Sequence, residues 1–151
     1  AADLAEAEGL EVPPLEEGIL ARMQEILNQA GAVASNPLDI GAPLIALPIF
    51  GAAMKEAGRN PSTDILIFDM ALNFAFGLGG EEGLNRVAEI LIQIKEKSGK
   101  PVVMVMYSRA VGADDMQFEE VLRSIKRKLL EGGIPVYPSM PRAIRAISLI
   151  N

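Results

Sequence analysis

Residues 74–84 read FAFGLGGEEGL, and Gly77, Gly79, Gly80 and Gly83 fall just where a helical pattern begins. A glycine-rich turn at a helix start offers bare N–H groups to an anion, and the helix dipole favours negative charge there. Two nucleotide fingerprints nevertheless fail. A G-x-G-x-x-G run started from Gly77 needs glycine at position 82, where Glu82 stands, and no Gly-Lys-Ser/Thr follows as a P-loop requires. A generic anion site survives, with its donors on the backbone of Gly79, Gly80 and Glu81. Glu81 and Glu82 themselves suit the positive helix end, each by roughly 0.3–1 kcal/mol, so a phosphate competes with them. A purely structural turn over Gly77–Gly80 is the alternative reading.

Other groups with chemical capacity lie near the ends of apolar runs. Asp69 ends one run and Ser108 the next, as in phospho-accepting receiver domains. Such domains also need an acidic pair after their first strand and a lysine after their fifth, and neither is found. The plainer reading of Asp69 is a carboxylate that caps a loop. Asp114-Asp115 offers oxygens to a hard cation but lacks further ligands, so a helix cap is expected there and no metal site. Arg123, Lys126, Arg127 and Lys128 share one helix face opposite an apolar stripe and read as a solvated surface. Tyr107, Arg109 and Arg142 stand near strand ends, within reach of an anionic ligand or a neighbouring domain. The chain has no histidine and no cysteine. Any catalysis therefore uses carboxylates, Lys, Arg, Ser, Tyr or backbone dipoles, or takes its histidine from another domain.

The elements that position these residues follow from periodicity. ADLAEAEGLEV reads as a short helix ended by Gly9, and Pro13-Pro14 opens a second, with Leu20, Met23, Ile26, Leu27 and Ala30 at helical spacing up to Gly31. Pro37 keeps Asn36 extended within residues 35–43. A weaker helix spans about 49–57. DILIFDMA (64–71) has the composition of a strand buried on both faces. A helix from about Glu81 to Lys97 carries Leu84, Val87, Ala88, Leu91 and Ile94 on one stripe. PVVMVMYS (101–108) is a second strand. Asp114 or Asp115 caps a helix with Phe118, Val121, Leu122, Ile125 and Leu129 on one face. IPVYPS forms a third strand, and Ser139 caps a last helix near Pro141. Strands alternating with helices predict an open α/β fold, a parallel sheet with helices on both faces. Ligands of such sheets bind beyond the carboxyl ends of the strands, here 69–80, 107–115 and 137–142.

Bulk properties narrow the partners. At 151 residues the chain is expected to form one domain over 1–151, and its net charge of −6 argues against nucleic acid. No apolar stretch runs the roughly 20 residues a membrane span needs. Absence of cysteine fits a reducing compartment, and a cytoplasmic location is expected. The chain opens Ala1-Ala2-Asp3, without Met and without a visible signal peptide, as expected of a piece of a longer polypeptide.

Four stretches together resemble the NDP-forming acyl-CoA synthetases of the acetyl-CoA and succinyl-CoA synthetase superfamily. They are AADLAEAEGLEVPPL (1–15), ASNPLDIG (34–41), DILIFDMALNFAFGLGG (64–80) and SGKPVVMVMYS (98–108). The resemblance implies a flavodoxin-like ligase domain like the carboxyl-terminal domain of the succinyl-CoA synthetase β subunit. Such enzymes interconvert acyl-CoA, NDP and phosphate with acid, CoA and NTP through a phosphohistidine held between two helix N-termini. The helix beginning at Gly79-Gly80 matches one of those two, making Gly79, Gly80 and Glu81 the implied phosphate-binding residues and Asn36, Asp39 and Gly41 the adjacent loop edge. The phosphorylated histidine belongs to another domain, as do the CoA-binding and ATP-grasp modules. CoA, ATP or ADP and Mg are thus implied for the whole enzyme, with no cofactor held by this domain and no activity expected of it alone. The family also places a strand just before Ala1, so a sheet lacking its first strand is expected. A non-catalytic docking domain, or a receiver-like one, is the competing expectation.

Overall fold

The computed structural model describes residues 1–28, 31–41, 46–107 and 115–150. Its helices and strands are α1 (Ala2–Ala7), α2 (Glu17–Ile26), α3 (Leu47–Arg59), β1 (Leu66–Ala71), α4 (Leu72–Ser98), β2 (Val102–Tyr107), α5 (Met116–Glu131), β3 (Val136–Tyr137) and α6 (Met140–Ser148). The three strands form one parallel sheet in the order β1-β2-β3, with Leu66 beside Val102 and Met104 beside Val136. This is an open α/β architecture consistent with a flavodoxin-like fold.

Helices cover both faces because the strands are apolar on both. On one face Leu66, Phe68, Met70, Val102 and Met104 pack under α3, α4 and α5, with Phe50 and Phe68 rings 5.2 Å apart. On the other, Val103 and Val105 meet Ala143 and Ile147 of α6. The stripes expected on the long helices are the buried ones: Leu84, Val87, Ala88, Leu91 and Ile94 of α4, and Phe118, Val121, Leu122, Ile125 and Leu129 of α5. A third cluster, built on Met23, Leu27 and Ala53, joins α2 to α3.

Several boundaries depart from the sequence reading. Pro13-Pro14 does not open α2; residues 10–16 form neither helix nor strand, and the helix starts at Glu17 after Glu16, whose backbone is extended. Ala30 lies outside the described residues. The helix after β1 begins at Leu72 rather than Glu81, so the expected four-residue glycine turn is helical except at Gly80, whose φ of 59° and ψ of −161° break it in two. β1 is also not buried on both faces. Leu66, Phe68 and Met70 are buried, but Asp69 and Ala71, on the opposite face of the strand, are exposed. β2, between two strands, is the buried run, from Val102 to Val105. β3 shortens to two residues. Among the described residues, no helix is long and apolar enough to cross a membrane.

Candidate functional site

Two places are built well enough to bind something. The first is the break in α4. Leu72, Ala75 and Phe76 hold the helical segment 72–79 inward, with the Phe76 ring 5.1 Å from that of Phe118. After Gly80 a second helical segment starts at Glu81, anchored by Gly83, Leu84 and Val87. Gly79 and Gly80 are half-buried, Glu81 and Glu82 are exposed, and the Glu81 carbonyl accepts from Asn85 Nδ2 at 3.1 Å. Glu82 leans toward Arg86 at 3.8 Å, so it is partly turned to its own helix. Segment 72–79 is about 12 Å long at 1.5 Å per residue, which sets Glu81 that far along the helix from the carboxyl end of β1.

The second place is a cleft of about 870 Å³ along the outer edge of β1. Its floor is the strand itself, and its walls come from residues 9–15, residues 35–41, the start of α4 and one face of α6. Asn36 Nδ2 donates to the Pro13 carbonyl at 2.8 Å and ties two of these walls together. Val33 and Asp39 exchange backbone hydrogen bonds at 2.8 and 3.1 Å, and Asp39 Oδ1 accepts from the Gly41 N–H at 2.9 Å. Buried Asn60 fixes the lower end: its Oδ1 accepts from the Glu16 N–H, and its Nδ2 donates to Thr63 Oγ1 at 2.8 Å. The Lys100 ammonium donates to the Asn60 carbonyl.

The six residues singled out from sequence therefore separate. Asn36, Asp39 and Gly41 all line the cleft, whereas Gly79, Gly80 and Glu81 do not, although Phe74, Ala75 and Leu78 just before them do. Asp69 also faces the cleft, as the fourth of the six residues of β1 rather than in a loop. Burial pushes its carboxyl above the usual range, and the backbone N–H of Met70 and the α-amino group of Ala1 offset part of that rise. Tyr107 and Arg142 are exposed at strand and helix ends. Ser108, Arg109 and Asp114 lie outside the described residues, and Asp115 is the N-cap residue of α5. Lys128 pairs with Glu89 at 2.8 Å on a surface face, beside exposed Arg123, Lys126 and Arg127. Among the described residues, no group of three or more acidic, His or Cys side chains could hold a metal ion.

Sequence reasoning missed the cleft. Glu11, Asp64, Phe74 and Leu78 were singled out for no role of their own, and they line one cleft only because the chain folds back on β1. The fold and these two places define an open parallel α/β domain with a broken helix and an uncovered sheet edge. No protein-family model matches the chain, and neither a curated protein nor a solved structure matches it.

Proposed function

We propose that this chain is a flavodoxin-like domain of an NDP-forming acyl-CoA synthetase, and that its part in the reaction is electrostatic. The observation that supports this reading is the break at Gly80. It begins a new helical segment at Glu81, and open space beside Gly80 leaves its approach free. N–H groups at such a start bind a phosphoryl oxygen without further reorganisation, which favours states in which phosphate charge is being transferred. Gly79, Gly80 and Glu81 would hold the phosphoryl group while a histidine of another domain exchanges it with the thioester. CoA, nucleotide and Mg belong to those other domains, and the activity belongs to the assembly.

Phosphate or sulfate titrated into the protein, alone and with its partner domains, tests this through the amide resonances of residues 77–83. Saturable shifts centred on residues 79–81 are expected. Silence of these amides in both settings rejects the phosphate role.

The cleft favours a second reading, a docking domain whose work is to receive another polypeptide segment. It is compatible with the first, because a ligase domain docks on its neighbours. The receiver-like variant is separated by acetyl phosphate with Mg²⁺: phosphorylation of Asp69 supports it, and an unchanged mass removes it.

A further inference from the structure

The outer face of α5 carries a charge pattern that is complementary to itself. The helix turns its apolar stripe toward α4 and β3. On the opposite side, Met116, Glu120, Arg123, Arg127 and Leu130 follow one another at alternating steps of four and three residues. At 3.6 residues per turn they fall within about 80° of one another. All five are exposed, and Met116 and Leu130 remain 62% and 51% accessible although both are large and apolar. No ion pair among the described residues engages Glu120, Arg123 or Arg127, whereas Lys128 on the flank is tied to Glu89. None of the five lines the cleft.

We infer that this face is a self-association surface, through which two copies of the chain pair by antiparallel α5 helices. A two-fold axis beside Arg123, the midpoint of the stripe, lays a second α5 across the first. Met116 then meets the partner's Leu130, and Glu120 meets the partner's Arg127, each contact occurring twice by symmetry. Steps of four and three are the seam spacing of paired helices, so the contacts continue along the whole of α5. The charges set the direction. A parallel pair puts Glu120 beside the partner's Glu120 and Arg127 beside the partner's Arg127, whereas the antiparallel pair leaves only Arg123 facing its like. An unrelated acidic helix suits the stripe less well, because Glu120 would lie against like charge. One helix pair of this length covers less than the roughly 800 Å² per copy of a stable interface, so the dimer is reversible and concentration-dependent.

Sedimentation equilibrium of the intact chain from roughly 10 µM to 1 mM makes the test, and a monomer–dimer equilibrium is expected. Glu120→Arg and Arg127→Glu each break two contacts, and each is expected to weaken the dimer about tenfold. Combined in one chain they exchange the two charges, and the dimer is expected to return to within about threefold of the native constant. Arg123→Leu removes the like charges at the axis and is expected to tighten the dimer about tenfold. A chain that stays monomeric across the whole range, native and Arg123→Leu alike, overturns the inference. So does a dimer whose constant neither single charge reversal moves, or a double variant no tighter than the singles.

Discussion

Glu56 binds two guanidinium groups, Arg22 through Nε at 2.7 Å and Arg59 through Nη1 at 2.6 Å, and is itself buried while both arginines are half exposed. The Arg22 hydrogen bond, with that of Arg59, holds its carboxyl below the ordinary value of 4.5 against the opposing effect of burial. A lowered folded-state value means that the stabilisation is complete above the unfolded value and is lost as pH falls through the folded one. Glu56→Gln is therefore expected to lower stability by about 1–3 kcal/mol at neutral pH, the worth of a charged hydrogen bond. The difference from the native chain should vanish on acidification below the folded-state value. Urea midpoints measured from pH 7 downward check both parts, and a difference independent of pH would contradict the charge argument. Little of this was legible beforehand. Glu56 sits in an unremarkable helix, and its partner Arg22 is 34 residues away on another. Asp69, by contrast, was readable as an acid at the end of an apolar run, but not as a carboxylate beside a free strand edge.

At the scale of elements, the two ends of the glycine stretch behave oppositely. Gly77 has helical backbone and Gly80 does not, and a Cβ at either would meet nothing within 4 Å. Differences between substitutions there are thus conformational rather than steric. Gly77→Ala is expected to stabilise the protein by roughly 0.5–1 kcal/mol, since alanine loses less entropy in a helix. Gly80→Ala is expected to cost about 1–3 kcal/mol, because the conformation it must adopt is nearly reserved to glycine. Thermal denaturation of the two variants measures the contrast. Two destabilised variants would mean that Gly77 is also in a turn. The glycine run announced an interruption, yet it could not say which glycine would carry it. Leu72, Ala75 and Phe76 settle that by packing inward at helical spacing, which draws the preceding residues into helix and leaves the break to Gly80.

For the whole molecule, the order β1-β2-β3 makes β2 the protected strand and β1 an open edge. Hydrogen exchange should rank them accordingly. Amides of Val103 to Val105 are expected to exchange only with global opening, while those of Ile67 and Asp69 exchange quickly, having no backbone acceptor among the described residues. Slow exchange at Ile67 and Asp69 in the free chain would show that the edge is already covered, for example by self-association. The sequence alone determined the alternation of strands and helices, the parallel sheet and the buried stripes of α4 and α5. Those follow from hydrophobic periodicity and turn residues, which act over a few positions. Tertiary structure alone decided that Gly80 is the break, and that Glu11, Asp39, Asp64 and Asp69 surround one cleft. These depend on which backbones find hydrogen-bond partners and on which distant segments the core brings together. Residue 11 and residue 69 line one cleft only after the sheet has formed.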